Sequence, residues 1–231
     1  MAEEKANSYI LSSPRQDAEA YSANFGAHRV GISPQEMAEY YSQWARQGTY
    51  DEDLSPERYR GPTLAADVIA QTYLHNRHSV KILDVAAGTG RLGTELHKQG
   101  FRCLDGLDPA EGMLAIARKK NIYRHLFCEF MPTENINIPK GDYDVIAVAG
   151  GMGEGHIPCK ALREMVRITK SGHVVIVMRE EYLDHVAEYK DRLEPIMLEL
   201  EDQGLWQLLQ RNVVPNYSFD NNGVIFLFKV C

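Results

Sequence analysis

Apolar positions along the chain change their period near residue 80, and that change divides the sequence. Before it they recur at helical spacing. Met37, Tyr40, Tyr41 and Trp44 fall three and four apart, so they share one helix face. Ser33-Pro34-Gln35-Glu36 just ahead of them is a start signal. The serine hydroxyl can accept from a free amide of the first turn, proline suits that turn, and Glu36 completes a capping box. A polar break over Gly48–Pro56 and a second helix over Pro62–Leu74 follow.

From Val80 onward short apolar runs alternate with amphipathic ones. The pattern predicts strands over 80–85, 101–107, 125–130, 143–149 and 173–178. It predicts helices over 91–98, 110–120 and 157–169, the last stopped at Gly172. A long helix over 184–203 comes next. Strands at 206–214 and 224–230 then flank a turn-rich stretch, Pro215 to Gly223, and so form a hairpin. Strand–helix alternation implies a doubly wound, mostly parallel α/β sheet, because parallel neighbours need a crossover and helices then cover both faces. The hairpin adds an antiparallel strand at the end. The expected organisation is a flexible N-terminal tail over 1–33, a helical lid or cover over 34–78, and a Rossmann-like core over 79–231.

Composition narrows the partners. The 231 residues are 44% hydrophobic and 25% charged, which is ordinary for one globular domain. The formal net charge is −7 and the longest basic run is Arg118-Lys119-Lys120, so no nucleic-acid partner is expected. The longest apolar run, 145–153, is less than half a membrane span, and the N-terminus is polar. No membrane association and a cytoplasmic location are therefore expected. Cys103, Cys128, Cys159 and Cys231 are far apart with no C-x-x-C pair, so no metal site is expected.

Candidate chemistry concentrates at Leu83-Asp84-Val85-Ala86-Ala87-Gly88-Thr89-Gly90-Arg91-Leu92-Gly93. Glycines between a strand and a helix let the backbone turn tightly and let a ligand approach without meeting a Cβ. Gly88-x-Gly90-x-x-Gly93 also reads as a dinucleotide fingerprint, with Asp108 about twenty residues on as the ribose-binding carboxylate. Two features favour S-adenosylmethionine over a nicotinamide cofactor. Asp84 suits an ammonium and a sulfonium but would repel a pyrophosphate. The terminal hairpin is foreign to dinucleotide-type dehydrogenase sheets.

These segments together resemble the class I methyltransferases. Leu83–Gly90 looks like their glycine motif, with Ala86 in place of its first glycine. Gly106-Leu107-Asp108-Pro109 through Met113-Leu114 looks like the end of strand two, where the acidic residue takes both ribose hydroxyls. Gly141–Ile146 and Ala161–His173 look like the approaches to strands four and five. A longer resemblance is to the methyltransferase-like proteins of the Williams–Beuren syndrome chromosomal region. Tyr41-Ser42-Gln43-Trp44-Ala45, Tyr59-Arg60-Gly61-Pro62, Gly153–Cys159, Asp191–Glu194 and Gly204-Leu205-Trp206 carry it. It implies a seven-stranded sheet, S-adenosylmethionine as donor, and S-adenosylhomocysteine as product.

The site expected from all this has Asp84, Ala86, Gly88, Gly90 and Leu92 from the glycine loop, with Asp108, Pro109 and Met113 from strand two and its helix. Met131 and Pro132 stand where an acidic residue often meets the adenine, so backbone groups are expected to read it while Met113 packs on the ring. Ala149 ends the central strand and Gly150 follows it. Trp44, Tyr50, Tyr59 and Arg60 belong to the segment expected to close over the ligand, where aromatic faces attract a sulfonium. His156 and Glu154 are the candidate bases. The expected acceptor is a small molecule, with a protein side chain as the alternative. Two other readings stay open: a non-catalytic adenosylmethionine-binding module, and an NAD(P)-dependent oxidoreductase.

Overall fold

The computed structural model describes residues 14–132 and 136–231. Its helix α2 (Pro34–Gln47) begins as the sequence dictates. Ser33 Oγ accepts from the Glu36 amide at 3.2 Å, and the Glu36 carboxylate accepts from the Ser33 amide at 2.9 Å. Gly48, at φ 82, ends it. The polar break contains a single turn, α3 (Tyr50–Asp53), and then α4 (Gly61–Thr72).

The stretch read as a flexible tail is different. Residues 14–27 form helix α1 (Pro14–Ala27), while residues 1–13 lie outside the described part. Its buried face consists of Ala20, Asn24 and Ala27, small or polar residues that leave almost no hydrophobic period. Polar contacts anchor it instead. Asp17 pairs with Arg58 at 2.7 Å, the Tyr40 hydroxyl donates to the Ala23 carbonyl at 2.9 Å, and Arg179 donates to Asn24 at 3.0 Å.

Seven strands form one sheet. Five are parallel: β1 (Lys81–Val85), β2 (Cys103–Leu107), β3 (His125–Phe127), β4 (Tyr143–Ala149) and β5 (Thr169–Arg179). β6 (Trp206–Ser218) and β7 (Asn221–Val230) form the antiparallel hairpin. The order is β3-β2-β1-β4-β5-β7-β6. Crossovers run through α5 (Arg91–Lys98), α6 (Glu111–Lys119) and α7 (Ala161–Ile168). Side chains alternate across the sheet. Ile82, Val145 and Val175 pack with Ile69, Leu92 and Leu96, whereas Leu83, Ile146 and Ile176 pack with Leu162, Met165 and Trp206. Apolar on both faces, the central strands are the mechanical base of the site. Among the described residues, no helix is long and apolar enough to cross a membrane.

Three elements depart from the sequence pattern. Gly172 does not end a helix: α7 stops at Ile168 and the chain enters β5 directly. The glycine is there for contact, since a Cβ would lie 2.0 Å from the Asp144 carbonyl oxygen. Gly172→Ala should therefore destabilise the protein by about 3 kcal/mol through overpacking. The denaturation midpoint should fall at unchanged slope; an unshifted midpoint would refute this tight fit.

The helix expected over 184–203 is two helices, α8 (Tyr182–His185) and α9 (Leu193–Asp202). Pro195 has no amide hydrogen for the Asp191 carbonyl and would clash with it in a continuous helix. Asp191 instead takes φ 54. Finally, the hairpin turns at Phe219-Asp220, both at positive φ (47 and 66), a primed turn that matches strand twist. Pro215 to Tyr217 stay inside β6, where the register shifts between Val214 and Ser218. Such a bulge re-aims side chains.

Candidate active site

The sheet order reverses between β1 and β4, so successive connections leave in opposite directions and a crevice opens at the strands' carboxyl ends. A cavity of about 420 Å3 lies there. The loops after β1, β2 and β4 supply its wall, and Tyr41 of α2 and Tyr50 of α3 face it from the N-terminal segment.

The glycine loop is held by its backbone. Ala86, Gly88 and Gly90 all have positive φ, at 60, 55 and 83. The Ala87 amide donates to the Leu107 carbonyl at 3.1 Å, which ties the loop to the end of β2. Asp108 follows that strand and completes the tie. Its two carboxylate oxygens accept from the Gly88 and Ala110 amides, each at 2.8 Å. A carboxylate oxygen has two acceptor sites, so each retains capacity for a ligand hydroxyl. Asp84 sits in β1 behind the loop and accepts from the Tyr123 hydroxyl at 2.6 Å.

Both carboxyls are hard to ionise. Burial pushes Asp84 up to about 7, opposed by the Tyr123 hydrogen bond and reinforced by the Asp108 charge. Burial lifts Asp108 to about 6 against the two backbone amides that favour its charged form. These carboxyls stabilise the ligand-free fold at low pH, and that contribution is lost as pH rises through about 6 to 7. An ammonium or a pair of hydroxyl donors favours the ionised forms. Affinity for S-adenosylhomocysteine should therefore rise at least about tenfold from about pH 5.5 to about pH 8. Near pH 6 binding should release protons, measurable by calorimetry in buffers of different ionisation enthalpy. A flat profile without proton release would contradict these environments.

Beyond β2 the cavity wall becomes apolar, with Pro109, Met113, Met131 and Pro132. Leu92, Ala149, Gly150 and Tyr59 complete the part of the lining expected from sequence. Four expected residues are not on the wall. Trp44 is 3% exposed and buried between rings, its indole N–H donating to Asp53 at 2.7 Å. Arg60 is exposed; its backbone amide donates to Tyr217 at 2.9 Å. Gly90 faces packing, since a Cβ there would lie 2.9 Å from the Tyr123 ring. Glu154 accepts from the Gly31 amide at 3.2 Å.

His156 does line the cavity. Its Nδ1 lies 2.7 Å from the Glu154 carbonyl, which can only accept, so Nδ1 carries the proton. Nε2 is left to accept from the Tyr41 hydroxyl at 3.2 Å. Burial lowers the His156 pKa to about 4, so the ring is neutral at neutral pH. The loop carrying it is braced by buried Tyr189, whose hydroxyl accepts from the Gly153 amide at 2.9 Å and donates to the Ile157 carbonyl at 2.7 Å.

Several lining residues escape sequence reasoning. His28 stacks on His156 with centroids 4.5 Å apart. Arg179, Tyr182 and Tyr217 come from the far end of β5, from α8 and from the β6 bulge. Nothing in local spacing brings these positions together. Arg91, next to the glycine loop, could have been suspected from adjacency alone.

Similarity to known proteins agrees with this architecture. Residues 82–172 match the family model described as a methyltransferase domain. Methyltransferase-like protein 27 from Homo sapiens is 34% identical over 181 residues, covering 78% of this chain and 72% of its own length. A demethylmenaquinone methyltransferase from Corynebacterium efficiens is 29% identical over 57% of this chain, which spans about half (51%) of that relative. Among solved structures, a SAM-dependent methyltransferase from Aquifex aeolicus superposes with a TM-score of 0.57 at 19% identity, covering 82% of this chain and 98% of that one. That likeness speaks for the fold.

Fold, crevice and family together define a class I methyltransferase that uses S-adenosylmethionine. The chain belongs to the family that includes methyltransferase-like protein 27. The nicotinamide oxidoreductase reading falls with that assignment.

The lining suits the cofactor on its own chemistry. A positive-φ glycine opens toward the cavity, where a Cβ at Gly88 would find only the Tyr50 hydroxyl, at 3.7 Å. Two buried carboxyls match hydroxyl and ammonium donors, and an apolar slot matches a purine.

Proposed function

We propose that this crevice holds S-adenosylmethionine and that the chain transfers its methyl group to a small molecule. In this reading Asp108 accepts from both ribose hydroxyls, Asp84 faces the amino-acid end, and Pro109, Met113, Met131 and Pro132 enclose the adenine. The observation that carries it is Asp108: two backbone amides from separate loops hold its oxygens in place, and each oxygen keeps an acceptor site. When bound, the cofactor supplies a methyl carbon activated by its sulfonium.

In the same reading the acceptor takes the remaining space, among Tyr41, His156, Arg179 and Tyr217. The cavity's volume is in the usual range for small-ligand sites, about 300–1,000 Å3, and side chains of the N-terminal helices line one side of it. The name of the Corynebacterium efficiens relative also points to a small acceptor, demethylmenaquinone.

Positioning can supply much of the rate for an in-line displacement. His156 acts through Tyr41 in this scheme. Its free lone pair is engaged by that hydroxyl and its basicity is low, so it orients Tyr41 instead of removing a proton. The tyrosine rings of α2 and α3 keep water from the transfer path.

The test is radiolabelling with methyl-tritiated S-adenosylmethionine and whole-cell extract. Label should enter the small-molecule fraction. Label in protein would overturn the acceptor class, and no transfer despite tight cofactor binding would leave the non-catalytic module.

A further inference from the structure

Arg91 occupies the first position of α5, immediately after the glycine loop, and lines the same cavity as Tyr50, Tyr59 and Asp84. Its guanidinium lies over the Tyr59 ring, 5.5 Å from the centroid, and this stacking sets where the charged head sits. Nη1 is nevertheless buried and makes no hydrogen bond with any described residue, carboxylates included. An unpaired buried donor is costly, and more so on a permanently charged group. Such a donor calls for an explanation, and a ligand group that completes it is one.

The surroundings say what the ligand brings. Asp84 and Asp108 already provide the cavity's negative charge, suited to an ammonium and to hydroxyls. Arg91 is a cation on the same cavity wall: its charge acts on Tyr59, as that of Asp84 also does, and on Tyr50, as that of Asp108 also does. A ligand that carries a cation and an anion a few bonds apart matches that arrangement. An α-amino acid zwitterion is such a group.

We propose that Arg91 binds the α-carboxylate at the amino-acid end of the cofactor and makes the site selective for nucleosides that carry it. This rests on the reading of the crevice as the cofactor site and gives a role to a residue that stands at a variable position of the glycine motif. Tyr59 acts as the platform that keeps the guanidinium planar to the wall. Asp84 takes the ammonium on the other side, so the zwitterion is held by both charges and the donor's orientation is fixed along the cavity.

The experiment compares two ligands by calorimetry, S-adenosylhomocysteine and 5′-methylthioadenosine. The second keeps adenosine and sulfur but lacks the amino acid. Arg91→Gln and Arg91→Lys are compared with the wild type, after thermal melts show that each variant is folded. Arg91→Gln should weaken S-adenosylhomocysteine about tenfold to a hundredfold, the range of lost charge-assisted hydrogen bonds. It should leave 5′-methylthioadenosine within about twofold, because that ligand never met the guanidinium. Arg91→Lys should recover part of the loss.

Undiminished S-adenosylhomocysteine binding in Arg91→Gln overturns the proposal. So does an equal loss for both ligands, which would make Arg91 a prop for the loop. If the wild type binds neither nucleoside, the cofactor assignment itself fails and this inference goes with it. If it binds both equally well, only this inference fails.

Discussion

Gly88→Val should abolish S-adenosylhomocysteine binding in a protein that still folds. Gly88 has φ 55, and its missing Cβ faces the cavity with only the Tyr50 hydroxyl 3.7 Å away. A β-branched side chain in the left-handed region costs roughly 1–2 kcal/mol, which a domain of this size can tolerate. The side chain would occupy the path of the ligand, and the strain would also disturb the amide that donates to Asp108. A loss of at least about 100-fold is expected, equivalent to about 3 kcal/mol. Gly90→Val provides the contrast. Its Cβ would strike the Tyr123 ring at 2.9 Å, so that variant should lose stability first and binding only through it. Normal titration of a folded Gly88→Val variant would put the cofactor elsewhere.

Asp108→Ala should lower the same affinity at least about tenfold and up to about a hundredfold. The carboxylate is 7% exposed, and two backbone amides aim it. Its proposed bonds to two ribose hydroxyls are charge-assisted, roughly 1.5–3 kcal/mol each. Truncation also leaves the Gly88 and Ala110 amides without their acceptor, so part of the loss will be loop disorder. Asp108→Asn separates these effects, because the amide's oxygen still accepts while its nitrogen meets an N–H or a hydroxyl donor. Affinity should fall for Asn as well. Equal affinities for wild type, Asn and Ala would remove Asp108 from the site.

The sheet and its crossovers were legible because their signals are local. Strand β4 (Tyr143–Ala149) and helix α5 (Arg91–Lys98) match the predicted ranges, since one is a short apolar run and the other is strongly amphipathic. The Asp84, Gly88 and Asp108 cluster was legible for the same reason: a strand–glycine–helix turn and the next strand's end are adjacent by topology. What failed to show was built from weak or distant signals. Helix α1 docks through alanines and one asparagine, which no hydrophobic period reports. Trp44 shares its helix face with Tyr41, yet one turn along it meets Asp53 and the core instead of the cavity. The part of the cavity proposed for the acceptor combines His28, Arg179 and Tyr217, three positions joined only by tertiary contact. Gly172 was misread because glycine after a helix usually marks its end, whereas here the Asp144 backbone passes too close for any side chain.

The most direct test is amide chemical-shift mapping of the full chain titrated with S-adenosylhomocysteine. The largest changes should fall at 84–92, 108–113, 130–132 and 149–151, the loops at the carboxyl ends of β1, β2, β3 and β4, with the β6–β7 hairpin distant from Tyr217 unmoved. Saturating binding whose shifts map to the other edge of the sheet, or no shifts at all, would contradict the assignment of this crevice as the cofactor site.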